Sequence, residues 1–99
     1  MSRNVQTILS PSLFDQVEDI QSKLVVIIDV LRATSTITTI LDNGAKKVIP
    51  VEDEASARNY MDGARLVGGE RGGVTIEGFD YGNSPFHYPS TVVEGKEVV

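Results

Sequence analysis

Apolar and polar positions change their spacing several times along the chain, and each change marks an element. Val5-Gln6-Thr7-Ile8-Leu9 alternates loosely and is rich in β-branched residues, which predicts a first strand. Ser10-Pro11 then offers a helix cap followed by a proline for the first turn, and Leu13, Val17 and Ile20 recur at helical spacing. Leu24-Val25-Val26-Ile27-Ile28 has no alternation. Five consecutive aliphatic residues predict a strand over 24–29, buried on both faces as in the middle of a parallel sheet, with Asp29 closing it. A helix from about Thr34 to Asn43 puts Ile37, Ile40 and Leu41 on one face and stops at Asn43-Gly44. Lys47-Val48-Ile49-Pro50-Val51 is a short strand whose proline places it near an edge or at a strand end. Acidic Glu52-Asp53-Glu54 opens a helix to about Met61, with Ala57, Tyr60, Met61 and Ala64 facing inward.

Strands alternating with helices make an α/β fold with right-handed crossovers. From Leu66 the character changes, and six of the nine glycines fall between Gly68 and Gly82. The final Glu94-Gly95-Lys96-Glu97-Val98-Val99 reads as a turn followed by the first residues of a new strand. The expectation is one α/β domain over residues 1–99, truncated at its C-terminal side.

Composition narrows the function. A net charge of −5 argues against a non-specific nucleic-acid binder, which needs a basic face. The absence of cysteine removes disulfides, thiolate metal sites and a Cys nucleophile. No apolar run approaches the roughly 20 residues of a membrane span, and the polar N-terminus lacks a signal-peptide pattern, so a soluble cytoplasmic protein is expected.

Three constellations could carry chemistry. Asp29, Arg32, Thr34, Ser35 and Thr36 sit where a strand runs into a helix, and strand ends and helix N-termini receive anionic ligands in open α/β sheets. The same residues would equally serve as a plain helix cap with an Asp29–Arg32 pair. Gly68-Gly69-Glu70-Arg71-Gly72-Gly73 allows a backbone folded round an anion, or a hairpin tip with a solvated Glu-Arg pair. Its ending is not that of a Walker loop. Glu77-Gly78-Phe79-Asp80 with Gly82-Asn83-Ser84-Pro85 is a Gly-hinged acidic loop entering a turn capped by Ser84, or an acidic surface turn and no more. His87 is the only histidine, so Ser-His-Asp chemistry is a poor candidate. Carboxylates and hydroxyls without His or Cys partners favour a hard cation, Mg²⁺ above all.

Asp29-Val30-Leu31-Arg32-Ala33-Thr34-Ser35-Thr36, Gly68-Gly69-Glu70-Arg71-Gly72 and Glu77-Gly78-Phe79-Asp80 with Gly82-Asn83-Ser84-Pro85 resemble, in order and spacing, the 2-phosphosulfolactate phosphatase (ComB) family. The resemblance spans nearly all of this chain but only the N-terminal part of the family. It implies an α/β fold with a mixed, largely parallel sheet flanked by helices, one half of a larger two-lobed structure. It also implies Mg²⁺-dependent hydrolysis of phosphate esters of 2-hydroxy acids, such as 2-phospho-3-sulfolactate to 3-sulfolactate and phosphate, in some lineages a step of coenzyme M biosynthesis. Phosphate-monoester hydrolysis demands more than ~20 kcal/mol of catalysis. Charge-assisted hydrogen bonds bring only ~1.5–3 kcal/mol each, so a divalent ion is the expected remainder.

On this reading Asp29 and Asp80 bind Mg²⁺ and, with Glu70 as a third ligand or base, form the catalytic group. Arg32 and Arg71 clamp the substrate's anionic groups, Thr34, Ser35 and Thr36 complete an anion nest, and Asn83 and Ser84 orient substrate or water. The partner is a small-molecule phosphate ester, with neither nucleic acid nor membrane, and a second copy of the chain could pair along an exposed sheet edge. Two competing readings are a non-catalytic anion-binding module and an inactive fragment of the phosphatase.

Overall fold

The computed structural model describes residues 3–99. Its centre is a short parallel ladder. Strand β1 (Lys47–Val48) pairs with β4 (Glu97–Val98), Lys47 opposite Glu97 and Val48 opposite Val98. On the other side of β4, Leu66 bridges Val98, and Gly68 in turn bridges Tyr81, both in parallel. Hydrogen bonds run across the whole row: Ile49 N–H to the Val98 carbonyl at 2.7 Å, Val99 N–H to Leu66 at 2.8 Å, and Asp80 N–H to Val67 at 2.8 Å. The order from one edge is therefore 47–49, 97–99, 66–68, 80–82. A separate antiparallel hairpin joins β2 (Glu70–Arg71) to β3 (Val74–Thr75). Gly72 (φ 58°) and Gly73 (φ 80°) form its tip. Two successive positive φ values are what a tight two-residue hairpin turn requires, and glycine supplies them without a steric penalty.

Neighbouring residues of the ladder send their side chains to opposite faces. Val48, Leu66 and Val98 join a cluster with Ile40, Tyr88 and Val93, while Ile49, Val67 and Val99 join one with Ala57 and Phe79. Two small cores result, one on each side of the sheet. Helix α1 (Ala33–Asp42) covers the first through Ile40. Helix α2 (Glu54–Arg58) covers the second through Ala57 and is capped by Asp53, which accepts from Ser56 N–H at 2.7 Å. Helix α3 (Ser90–Val93) places Val93 in the first core and leads into β4.

Several expected elements stand where the pattern puts them. α1 ends at Asn43, with Gly44 at φ 97° closing it. Ser84 caps the 3₁₀ turn Pro85–His87, and the strand expected near the last residues is β4. Helix α1 has the expected length, shifted by one residue, whereas α2 ends at Arg58 rather than at about Met61. The first strand, Val5–Leu9, is not formed: Val5 and Leu9 are exposed and the segment leads into the 3₁₀ turn Pro11–Gln16.

The main correction concerns residues 24–29. They form no strand, and Leu24, Val26, Ile27 and Ile28 are 94%, 73%, 75% and 82% exposed. An unalternated apolar run predicts burial on both faces only if it has a neighbouring strand on each side. Here the doubly covered strand is β4, and none of the described strands pairs with 24–29. The fold is a small α/β arrangement in which the parallel ladder and the antiparallel hairpin are separate sheets, consistent with the family's α/β class. No helix among the described residues is long and apolar enough to cross a membrane.

Tyr88 fixes the first core, 2% exposed, with its hydroxyl donating to the Gly82 carbonyl at 2.5 Å. A Cβ on Gly68 would overlap that hydroxyl. Gly68→Ala, where the backbone needs no special φ, is expected to cost about 1–3 kcal/mol by overpacking, read as a lower urea midpoint. Burial first, then the charges of Asp80 and Tyr81, pushes the Tyr88 phenol from 10 up to about 12. The folded state then keeps a proton that the unfolded chain gives up. Its contribution is whole below pH 10 and lost as pH climbs toward about 12. Urea midpoints of the wild type should therefore fall over this range more steeply than those of Tyr88→Phe; equal slopes would refute the assignment.

Candidate functional site

Three separated segments meet at the first turn of α1. Arg32 occupies the N-cap position, where its side chain is not needed for capping. Its Nη2 donates instead to Glu70 Oε2 at 2.6 Å, 38 positions along the chain. Glu70 sits on β2, and its other oxygen accepts from Asn83 Nδ2 at 3.4 Å. Thr36, one turn into α1 and 3% exposed, donates its hydroxyl to the Asn83 carbonyl at 2.9 Å. Arg32, Glu70, Asn83 and Thr36 thus form one connected group joining the three sequence motifs.

The hydrogen bond from Arg32 holds the Glu70 carboxyl below the usual carboxylate range, helped by Asn83 and by the Arg32 charge against partial desolvation. The Arg32 and Glu70 side chains are 39% and 26% exposed, so the pair is open to solvent and to a ligand. Arg32 keeps further donors beyond the one given to Glu70. The start of α1 beside it carries unpaired N–H groups and the positive end of the helix dipole.

The remaining predicted residues are placed differently. Asp29 is exposed, and its backbone carbonyl accepts the Thr34 hydroxyl and, at 3.3 Å, the Thr34 N–H. The Ser35 hydroxyl donates to the Val30 carbonyl at 2.6 Å. The three hydroxyls expected to form an anion nest therefore donate to protein carbonyls, which anchors the loop before α1. Asp80 Oδ2 accepts from Val67 N–H at 2.9 Å, steadying the ladder. Arg71, next to Glu70 on an alternating strand, lines a shallow depression on the other side with Asp53, Glu54, Gly69 and Phe79. Ser84 accepts from Phe86 N–H at 3.3 Å.

Whether these residues fit a metal depends on their convergence. Among the described residues no group of three or more Asp, Glu, His or Cys side chains gathers as a cation site. Glu70 already has both oxygens engaged, and Asp80 has one. This donor set does not by itself form a Mg²⁺ site.

Sequence reasoning missed the residues that hold the site in place. Tyr88 clasps Gly82, next to Asn83, and its own carbonyl accepts from Asn43 Nδ2 at 2.8 Å at the far end of α1. His87 Nδ1 accepts from Gly82 N–H at 3.2 Å. The one usable signal was Gly68, read in sequence as part of a flexible loop, whose missing side chain in fact leaves room for Tyr88.

The chain matches the family model described as 2-phosphosulpholactate phosphatase over residues 8–99. It is 45% identical over 101 residues to a "Probable 2-phosphosulfolactate phosphatase" of Clostridium perfringens, covering 96% of this chain and 40% of that protein. A protein of the same name from Caldicellulosiruptor saccharolyticus is 47% identical over 96 residues, covering 93% of this chain and 40% of that protein. One from Clostridium acetobutylicum is 48% identical over 86 residues, covering 83% and 36% respectively. The chain therefore spans about two fifths of the length of the curated relatives it matches. With three motifs meeting round Arg32 and Glu70 and a family match over nearly every residue, this chain belongs to the 2-phosphosulfolactate phosphatase family.

Proposed function

We propose that this chain supplies the anion-binding part of a phosphatase acting on phosphate esters of 2-hydroxy acids, 2-phospho-3-sulfolactate among them. The observation that carries this reading is the Arg32–Glu70–Asn83 group at the start of α1, which sets a guanidinium beside a helix N-terminus. Arg32 would bind the phosphate or the neighbouring carboxylate or sulfonate, since its planar fork suits such oxygens. Asn83 and Ser84 would line the substrate, whereas Arg71 stands on the opposite face of the strand. Asp29, exposed and tied to Thr34 through its backbone carbonyl, is the acid of the first motif.

Mg²⁺ is proposed for the complete protein, where Asp29 and Asp80 would need further carboxylates as companions. What these residues contribute is binding, orientation and charge neutralisation, which account for most of the catalysis available in phosphoryl chemistry. A second reading is favoured by the dispersed acids: the chain binds a phosphorylated acid and turns it over only with the rest of a longer protein.

Phosphate release from 2-phospho-3-sulfolactate, measured with Mg²⁺ and with a chelator, tests the proposal. The expected outcome is metal-dependent release that Arg32→Lys lowers about a hundredfold in kcat/KM, because an ammonium cannot reproduce bidentate contact. Binding without release would favour the second reading, and an Arg32→Lys variant of full activity would remove Arg32 from the site.

A further inference from the structure

We propose that Glu70 is the positioning residue of this site, orienting Arg32 and Asn83 rather than taking a substrate proton or binding a metal. The inference rests on the anion-site reading above and assigns Glu70 its part within it. One carboxylate oxygen holds Arg32 Nη2 at 2.6 Å, and the other faces Asn83 Nδ2 at 3.4 Å. Through the Thr36 bond to the Asn83 carbonyl, the same carboxylate ties α1 to the turn at 82–84.

Arg32 has a long, flexible side chain at the end of an exposed loop, and Glu70 is its ion-pair partner. Without that partner the guanidinium would sample many rotamers and lose them on binding a ligand. A general base, by contrast, needs an unengaged oxygen and a proton affinity near the working pH. Glu70 is a poor fit on both counts, since each oxygen already receives a donor and the Arg32 contact lowers its affinity for a proton. A metal ligand needs companions, and Glu70 belongs to no group of three acidic, His or Cys side chains among the described residues.

Glu70→Gln keeps the shape and removes the charge. The first readout is the Arg32 Nη–H and Asn83 Nδ2–H signals in NMR spectra of the chain. Resolved, slowly exchanging Arg32 signals are expected in the wild type and not in Glu70→Gln, with the Asn83 amide shifting and the Val93 and Val98 methyl signals unmoved. If those methyls show that Glu70→Gln misfolds, Glu70→Asp, which withdraws the carboxylate by one methylene, should show the same loss at Arg32. Arg32 signals unchanged in the folded variant overturn the proposal.

The second readout is turnover of 2-phospho-3-sulfolactate. Glu70→Gln should lower kcat/KM about tenfold, mainly through KM, while the acid limb of the pH profile stays. Loss of that limb with a collapse of kcat would make Glu70 the base. A lower KM would show that the carboxylate competes with the substrate, and unchanged constants would show that Arg32 needs no anchor; each overturns the proposal. If the wild type releases no phosphate, turnover by this chain is excluded and the Arg32 spectrum alone decides the role of Glu70.

Discussion

The hydroxyl of Tyr88 lodged against the Gly82 carbonyl is the contact on which most of this molecule depends. It fills space that only a residue without a side chain leaves free at position 68. From there the order spreads outward. The Tyr88 ring packs with Ile40, Val93 and Val98, its carbonyl receives Asn43 at the end of α1, and the turn it clasps carries Asn83. A buried phenol with a partner gives both hydrophobic area and a fixed direction, which a purely aliphatic core does not. The site at the other end of α1 inherits its geometry from that fixed turn.

Local chemistry was legible wherever a residue's neighbours in sequence decide its structure. Ser84-Pro85 opens a 3₁₀ turn, Asp53 caps α2, Asn43-Gly44 ends α1, and Gly72-Gly73 turns a hairpin. Each is a short-range argument from capping or φ. Residues 24–29 failed because burial of a strand on both faces is a statement about neighbours, and composition cannot supply neighbours. In the same way Val98 and Val99 were legible as the start of a strand, but not as residues that feed both cores, since they gain that importance only between two other strands.

The candidate site was partly legible for a related reason. Arg32, Glu70 and Asn83 come from the three sequence motifs, and the fold brings these three into contact. It does not bring Asp80 or Arg71 to the same place. Asp80 serves the Val67 N–H, and Arg71 follows the strand's alternation to the opposite face. Thr34 and Ser35 illustrate the difference between a residue type and a bonded group: hydroxyls suited to an anion are drawn to nearer backbone carbonyls. Nearby unpaired acceptors win because the chain holds them in place at no further entropic cost.

The position of β4 between 47–49 and 66–68 has a consequence for how this domain comes into being. Lys47 and Val48 lie roughly fifty positions before the residues they pair with, so neither can nucleate anything locally. Until 97–99 take their place, 47–49 and 66–68 have no strand between them and the apolar residues of both cores lack their shared floor. Assembly that waits on such long-range pairing is slow, and its intermediates leave apolar surface and strand edges uncovered.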